Sequence, residues 1–277
     1  MAEIVYPEER LRQKIQIKDA TLRNSLSEFL GTALLLFIGI GIVMQFILSG
    51  EKLNTWIQVN VGWGMAIAFS VYACSKTSGG HLNPAVSLAF VTLGRLSVKD
   101  FICYSIAQTF GAFVGTVGAF GIYYDQFIKY AGNQRTIAGP KATALCFCSF
   151  PALHVAGTAL LMFFVCVIID KRIAVPGPAH PLLFGLVVLM IGTSMGMNVG
   201  YPINPARDLG PRIFMLFLGY GSQAFTYHSF YFWIPVVAPL VGAVLAAWTY
   251  HLFIGAHIPD PKPIIVQDEA KQPLRYA

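Results

Sequence analysis

The chain has 277 residues, of which 56% are hydrophobic and only 12% charged, with a mean hydropathy of +0.62 and a formal net charge of +6. So little polar surface cannot coat a water-soluble domain of this length, which assigns the chain to a lipid bilayer. Lys and Arg are scattered among connecting segments and never line up as a basic stripe, so the charge speaks for membrane orientation and against nucleic acid as a partner.

In chain order, the first 25 residues mix acids and bases without an apolar core, so no cleaved signal peptide is evident and the first span is expected to act as its own signal. Six apolar stretches are predicted to cross the bilayer as helices, near 26–48, 57–74, 101–124, 153–169, 181–199 and 231–254. An even number puts both termini on one side. Basic residues are roughly twice as frequent on that side, which makes it cytoplasmic and leaves 1–21 and 257–277 as cytoplasmic tails. An acid inside a membrane span is by default functional, so Glu28 reads either as a cation-coupling site or as a buried brace. The five cysteines lack disulfide or metal spacing and read as free thiols, and His81 has no second His or Cys at ligand distance, so neither metal nor cofactor is expected.

The chain repeats itself. Gly31-Thr32-Ala33-Leu34-Leu35-Leu36-Phe37 returns as Gly157-Thr158-Ala159-Leu160-Leu161-Met162-Phe163, and the tripeptide Asn83-Pro84-Ala85 returns as Asn204-Pro205-Ala206. Each half holds three spans, an odd number, so the second half enters from the opposite face and the repeats are inverted, with a shared site near the midplane. One membrane domain of residues 22–256 is expected, its repeats covering about 22–125 and 150–256. In each tripeptide an Asn suited to a helix cap precedes a Pro suited to the first turn. The apolar runs that follow, 84–93 and 205–217, are too short to span ~30 Å of hydrocarbon. They are predicted to be re-entrant half-helices whose N-terminal ends meet at the centre. Two positive dipole ends and two asparagine amides there would admit hydroxylated neutral solutes and repel cations and protons.

The paired motifs Ser78-Gly79-Gly80-His81-Leu82-Asn83-Pro84-Ala85-Val86 and Asn204-Pro205-Ala206-Arg207-Asp208-Leu209-Gly210-Pro211-Arg212 resemble those of the major intrinsic proteins, and specifically the aquaglyceroporins, over about residues 22–256. The resemblance implies an all-α membrane fold of six transmembrane helices plus two half-helices, a homotetramer, and passive conduction of glycerol, water and small neutral solutes such as urea; the plasma membrane is the expected location. By matching position it implies an outer constriction of Trp63, Gly192, Tyr201 and Arg207. Two aromatic walls would face a polyol's carbons, the arginine would donate to its hydroxyls, and Gly192, where a water channel carries histidine, would leave room. It also implies solute-accepting carbonyls at Gly80, His81, Leu82, Val199 and Gly200, Asp208 as a marker of the glycerol branch, and Glu28 as a brace. The chain departs from the pattern in a short segment before the fourth span, in Phe150 where tyrosine is usual, and in Ala152-Leu153-His154-Val155, which lacks an acid to mirror Glu28.

The Gly192-xxx-Gly196-xxx-Gly200 and Gly111-xxx-Gly115 spacings also fit helix-packing seams, and Trp63 and Tyr201 also fit an interfacial belt. Three functional classes stay open: a neutral-solute channel, with a water-selective pore as its near rival; a cation-coupled transporter using Glu28; and an intramembrane enzyme, for which no nucleophile stands beside a base.

Overall fold

A computed structural model describes residues 6–149, 155–199 and 201–260. It contains ten α-helices among these: α1 (Pro7–Ile15), α2 (Ala20–Leu48), α3 (Trp56–Cys74), α4 (Pro84–Thr92), α5 (Val98–Ala131), α6 (Val155–Ile169), α7 (His180–Val199), α8 (Pro205–Met215), α9 (Gln223–Phe230) and α10 (Ile234–Phe253). Five of the described helices are long and apolar enough to cross a membrane, and α6 is a shorter apolar helix of 15 residues. Phe150 and residues 151–154, where the sequence departs from the family pattern, lie outside the described residues.

Polar caps carry two spans beyond the apolar windows that announce them. Asp19 accepts from the Leu22 N–H at 2.7 Å and starts α2 at Ala20, and Ser97 accepts from the Asp100 N–H at 3.0 Å and starts α5 at Val98. Along α2 the buried residues Glu28, Gly31, Thr32, Leu35, Leu36, Gly39 and Ile40 recur at three- and four-residue spacing, while Leu30, Leu34, Phe37 and Ile38 stay exposed. That is an apolar outer face with a tightly packed inner one, as expected for a helix with lipid on one side.

Glycines bring the spans together. A Cβ at Gly111 or Gly115 of α5 would run into the Phe29 or Ala33 carbonyl of α2, and one at Gly242 of α10 would meet the Val155 carbonyl of α6. The same seam therefore recurs in both halves, α2 on α5 and α6 on α10, as inverted repeats require. α3 and α7 form a third seam, where Gly64 and Gly185 face each other's carbonyls.

α4 and α8 are the half-helices, at 9 and 11 residues. Their starts lie side by side and their far ends diverge. Thr92 closing α4 accepts from the Trp248 indole near the end of α10 at 3.3 Å, whereas Arg212 near the end of α8 donates to the Ala224 carbonyl in the segment before α10 at 2.8 Å.

Candidate functional site

The site begins at the two helix starts. Asn83 caps α4 by accepting from the Ala85 N–H at 2.9 Å, and Asn204 caps α8 by accepting from the Ala206 and Arg207 N–H groups at 3.0 and 3.2 Å. Pro84 and Pro205 take the first helical position, where a missing N–H costs nothing, and Ala85 and Ala206 are fully buried. Each asparagine also reaches into the opposite repeat: Asn83 Nδ2 donates to the Ile203 carbonyl at 2.9 Å, and Asn204 Nδ2 donates to the Leu82 carbonyl at 2.7 Å. An amide has two N–H donors, so this reciprocal pair leaves one on each asparagine. Both residues line a cavity of ≈ 600 Å³. The two N-terminal ends, each worth about half a positive charge, thus face one space.

The first re-entrant loop is held by Glu28. The carboxylate is fully buried; its Oε1 accepts from Ser78 Oγ at 2.6 Å and the His81 N–H at 2.9 Å, and its Oε2 accepts from the Leu82 N–H at 2.6 Å and Gln108 Nε2 at 2.8 Å. Leu82 needs this support, because its φ of 49° is left-handed and costs a branched residue roughly 1–3 kcal/mol. Its N–H is fixed by Glu28 and its carbonyl by Asn204, so both flanking peptides are tied. Gly79 and Gly80 take φ of 93° and 65° at no such cost and turn the chain inward.

The second half-helix instead binds the segment that precedes α6. Arg207 Nη1 donates to the Phe147 carbonyl at 3.2 Å; Arg212 Nε pairs with Asp208 Oδ1, and its Nη2 donates to the Ser149 carbonyl at 2.6 Å. Asp208 Oδ2 in turn accepts from the Ser149 N–H at 3.2 Å. A strap of residues 147–149 is therefore bound to α8 by charge-assisted hydrogen bonds.

Of the residues expected at the constriction, Trp63, Tyr201 and Arg207 line the cavity. The Trp63 and Tyr201 rings stack at 5.5 Å and 21°, and the Arg207 guanidinium carbon lies 5.3 Å from the Trp63 ring centre. Gly192 is placed differently from the open gap expected of it. It is buried, and a Cβ there would collide with the Tyr201 hydroxyl, so the space left by the missing side chain holds Tyr201. Gly80, His81 and Leu82 line the cavity, with the Leu82 carbonyl already engaged by Asn204; Val199 ends α7, and Gly200 lies outside the described residues. The other mouth of the cavity is framed by Tyr72, Lys76, Pro178 and His180, and the Tyr72 hydroxyl donates to the Pro178 carbonyl at 2.7 Å.

Several site residues escaped sequence reasoning. Gln108 on Glu28, Ser87 on His81 Nδ1 at 3.0 Å, Asn60 behind Tyr201, and the 147–149 strap each had one signal, a polar residue or break amid apolar sequence.

This arrangement defines a polytopic α-helical membrane protein of inverted repeats whose two half-helices meet beside an internal cavity. The chain belongs to the major intrinsic protein family, whose model matches residues 15–250. It is 39% identical to Aquaporin-9 of Homo sapiens, over 96% of this chain and 94% of that one. It is 34% identical to the glycerol uptake facilitator protein of Shigella flexneri, over 92% of this chain and 96% of the other. The X-ray structure of the aquaglyceroporin from Plasmodium falciparum aligns with a TM-score of 0.77 at 32% identity, covering 86% of this chain and 98% of that one.

Proposed function

We propose that this protein is a passive channel for glycerol and water that also serves urea-sized neutral solutes and turns back ions and protons. The observation that carries the reading is the reciprocal Asn83–Ile203 and Asn204–Leu82 pairing, which sets two helix N-termini and two unspent amide donors against one cavity closed by Trp63, Tyr201 and Arg207. A hydroxyl oxygen passing there accepts from the asparagines. A cation meets two positive dipole ends and then a guanidinium. A relayed proton is stopped because a solute oxygen that accepts from both amides cannot accept a proton from its neighbour. The relatives with glycerol in their names or descriptions support the same solute class.

In this reading Trp63 and Tyr201 hold the polyol's carbon edge, Arg207 and the carbonyls of Gly80, His81, Val199 and Gly200 hold its hydroxyls, and Asp208 locks the arginine-bearing helix. Glu28 is a brace: both oxygens are occupied by four donors, and the carboxylate does not border the cavity, so no cation coupling runs through it. The working form is a homotetramer with one pore per subunit, in the plasma membrane, with both termini cytoplasmic. No cofactor or metal takes part.

The test is stopped-flow light scattering of proteoliposomes in glycerol, urea and sucrose gradients. Glycerol equilibrates much faster than in empty liposomes without any ion gradient, and sucrose does not enter. Glycerol at the empty-liposome rate beside fast water would establish a water-only pore, and loss of uptake with a protonophore or without sodium would establish a coupled transporter.

A further inference from the structure

Behind the aromatic wall lies a polar residue that the channel reading leaves unused. Asn60 of α3 is fully buried, and neither its amide nitrogen nor its oxygen has a hydrogen-bond partner among the described residues. The Tyr201 hydroxyl is also buried and also unpartnered. The two meet at one place: the point where a Cβ would stand on Gly192 lies 2.7 Å from Asn60 Oδ1 and closer still to the Tyr201 oxygen. The α3–α7 seam at Gly64 and Gly185 brings Asn60 here, and one turn along the same face of α3 stands Trp63, the ring on which Tyr201 stacks.

Buried polar groups left without partners cost roughly 1–3 kcal/mol each, and here three such atoms share one small volume. A hydroxyl can donate to an amide oxygen and accept from an amide nitrogen, so a Tyr–Asn pair relieves the penalty that either residue suffers alone. Asn60 does not border the cavity and so does not touch the solute.

We infer that Asn60 is a positioning residue for solute selection, its amide placed to hold the Tyr201 hydroxyl in the notch that Gly192 leaves, and thereby to fix the Tyr201 ring against Trp63. The inference rests on the glycerol-channel reading. A polyol needs both aromatic walls in place, whereas water needs only the hydrogen-bonding side of the pore, so releasing the ring penalises glycerol more than water.

The experiment is a double-mutant cycle read as the ratio of glycerol to water permeability in proteoliposomes. The unmodified protein is measured first; if it does not conduct glycerol, the channel reading fails on its own and not through Asn60. The variants are Asn60→Leu, Tyr201→Phe and their combination, with Asn60→Ser replacing the leucine variant wherever that one is not recovered folded by size-exclusion chromatography. Each single change lowers the ratio by roughly two- to tenfold, the worth of one buried hydrogen bond, and the double variant falls no further than the singles. Single effects that multiply in the double variant, a ratio unmoved by either change, or an equal fall in glycerol and water overturns the inference.

Discussion

The two half-helices are anchored with opposite chemistry. In the first repeat an acid on a transmembrane helix accepts from the loop: Glu28 gathers two backbone N–H groups, a serine hydroxyl and the Gln108 amide. In the second, cations on the half-helix donate outward to backbone carbonyls of Phe147, Ser149 and Ala224, with Asp208 neutralising Arg212. Inverted symmetry fixes where a half-helix must lie, but any group that satisfies bare peptide groups beside it can hold it there. The asymmetry also has a use. The first half keeps its carboxylate away from the cavity, whereas the second half places the Arg207 guanidinium in the cavity lining beside Trp63.

The comparison can be broken most forcefully at Arg212. Arg212→Met strands Asp208 as a buried lone charge and frees two carbonyls, and is expected to cost about 3–5 kcal/mol. It reads out as a large fall in thermal midpoint and in folded yield in detergent. Glu28→Gln keeps one acceptor oxygen and is expected to cost about 1–3 kcal/mol, with glycerol and water conduction reduced together because the loop itself shifts. Loss of glycerol with water intact would show Glu28 acting on the solute and would undo its reading as a brace.

A sharper cut separates scaffold from filter. Gly192→Ala places a methyl where the Tyr201 hydroxyl now sits, so even this small residue is expected to lower glycerol permeability severalfold more than water, with a stability cost of about 1–3 kcal/mol. Equal loss of both solutes would mean that Tyr201 does not set the constriction.

The smallest effect lies outside the membrane. Asp170, just past α6, accepts from Arg172 and from the Tyr250 hydroxyl at 2.8 Å, and the Arg172 hydrogen bonds above all hold its carboxyl well below the usual carboxylate range. A depressed folded-state value stabilises the protein above the unfolded carboxylate pKa of about 4 and loses that contribution as pH falls below it. Asp170→Asn is therefore expected to lower the thermal midpoint by a few degrees at neutral pH and to narrow that gap in acid, as followed by differential scanning fluorimetry.

Much of the fold was legible because the bilayer leaves few solutions. An apolar run of sufficient length must be a helix, a run too short to cross must re-enter beside protein, and a duplicated Asn-Pro-Ala marks two such starts. The boundaries were less legible: α2 begins at Ala20 and α5 runs from Val98 to Ala131, longer than the apolar windows, because caps and polar turns extend a helix where hydropathy has already faded. The last span shows the opposite, with α10 beginning at Ile234 after the single turn Tyr231–Trp233.

At the site, the sequence by itself determined two capping asparagines and one membrane-embedded acid, while the two aromatics and the arginine were marked by the family resemblance. The partners were decided by the tertiary structure. Gln108 reaches Glu28 from 80 residues away, the asparagines bond across repeats, and Gly192 faces Tyr201 where an open gap had been expected. A hydropathy pattern records how much of a residue must leave water, whereas a buried hydrogen bond needs two atoms at one point, and only helix packing to fractions of an ångström fixes that.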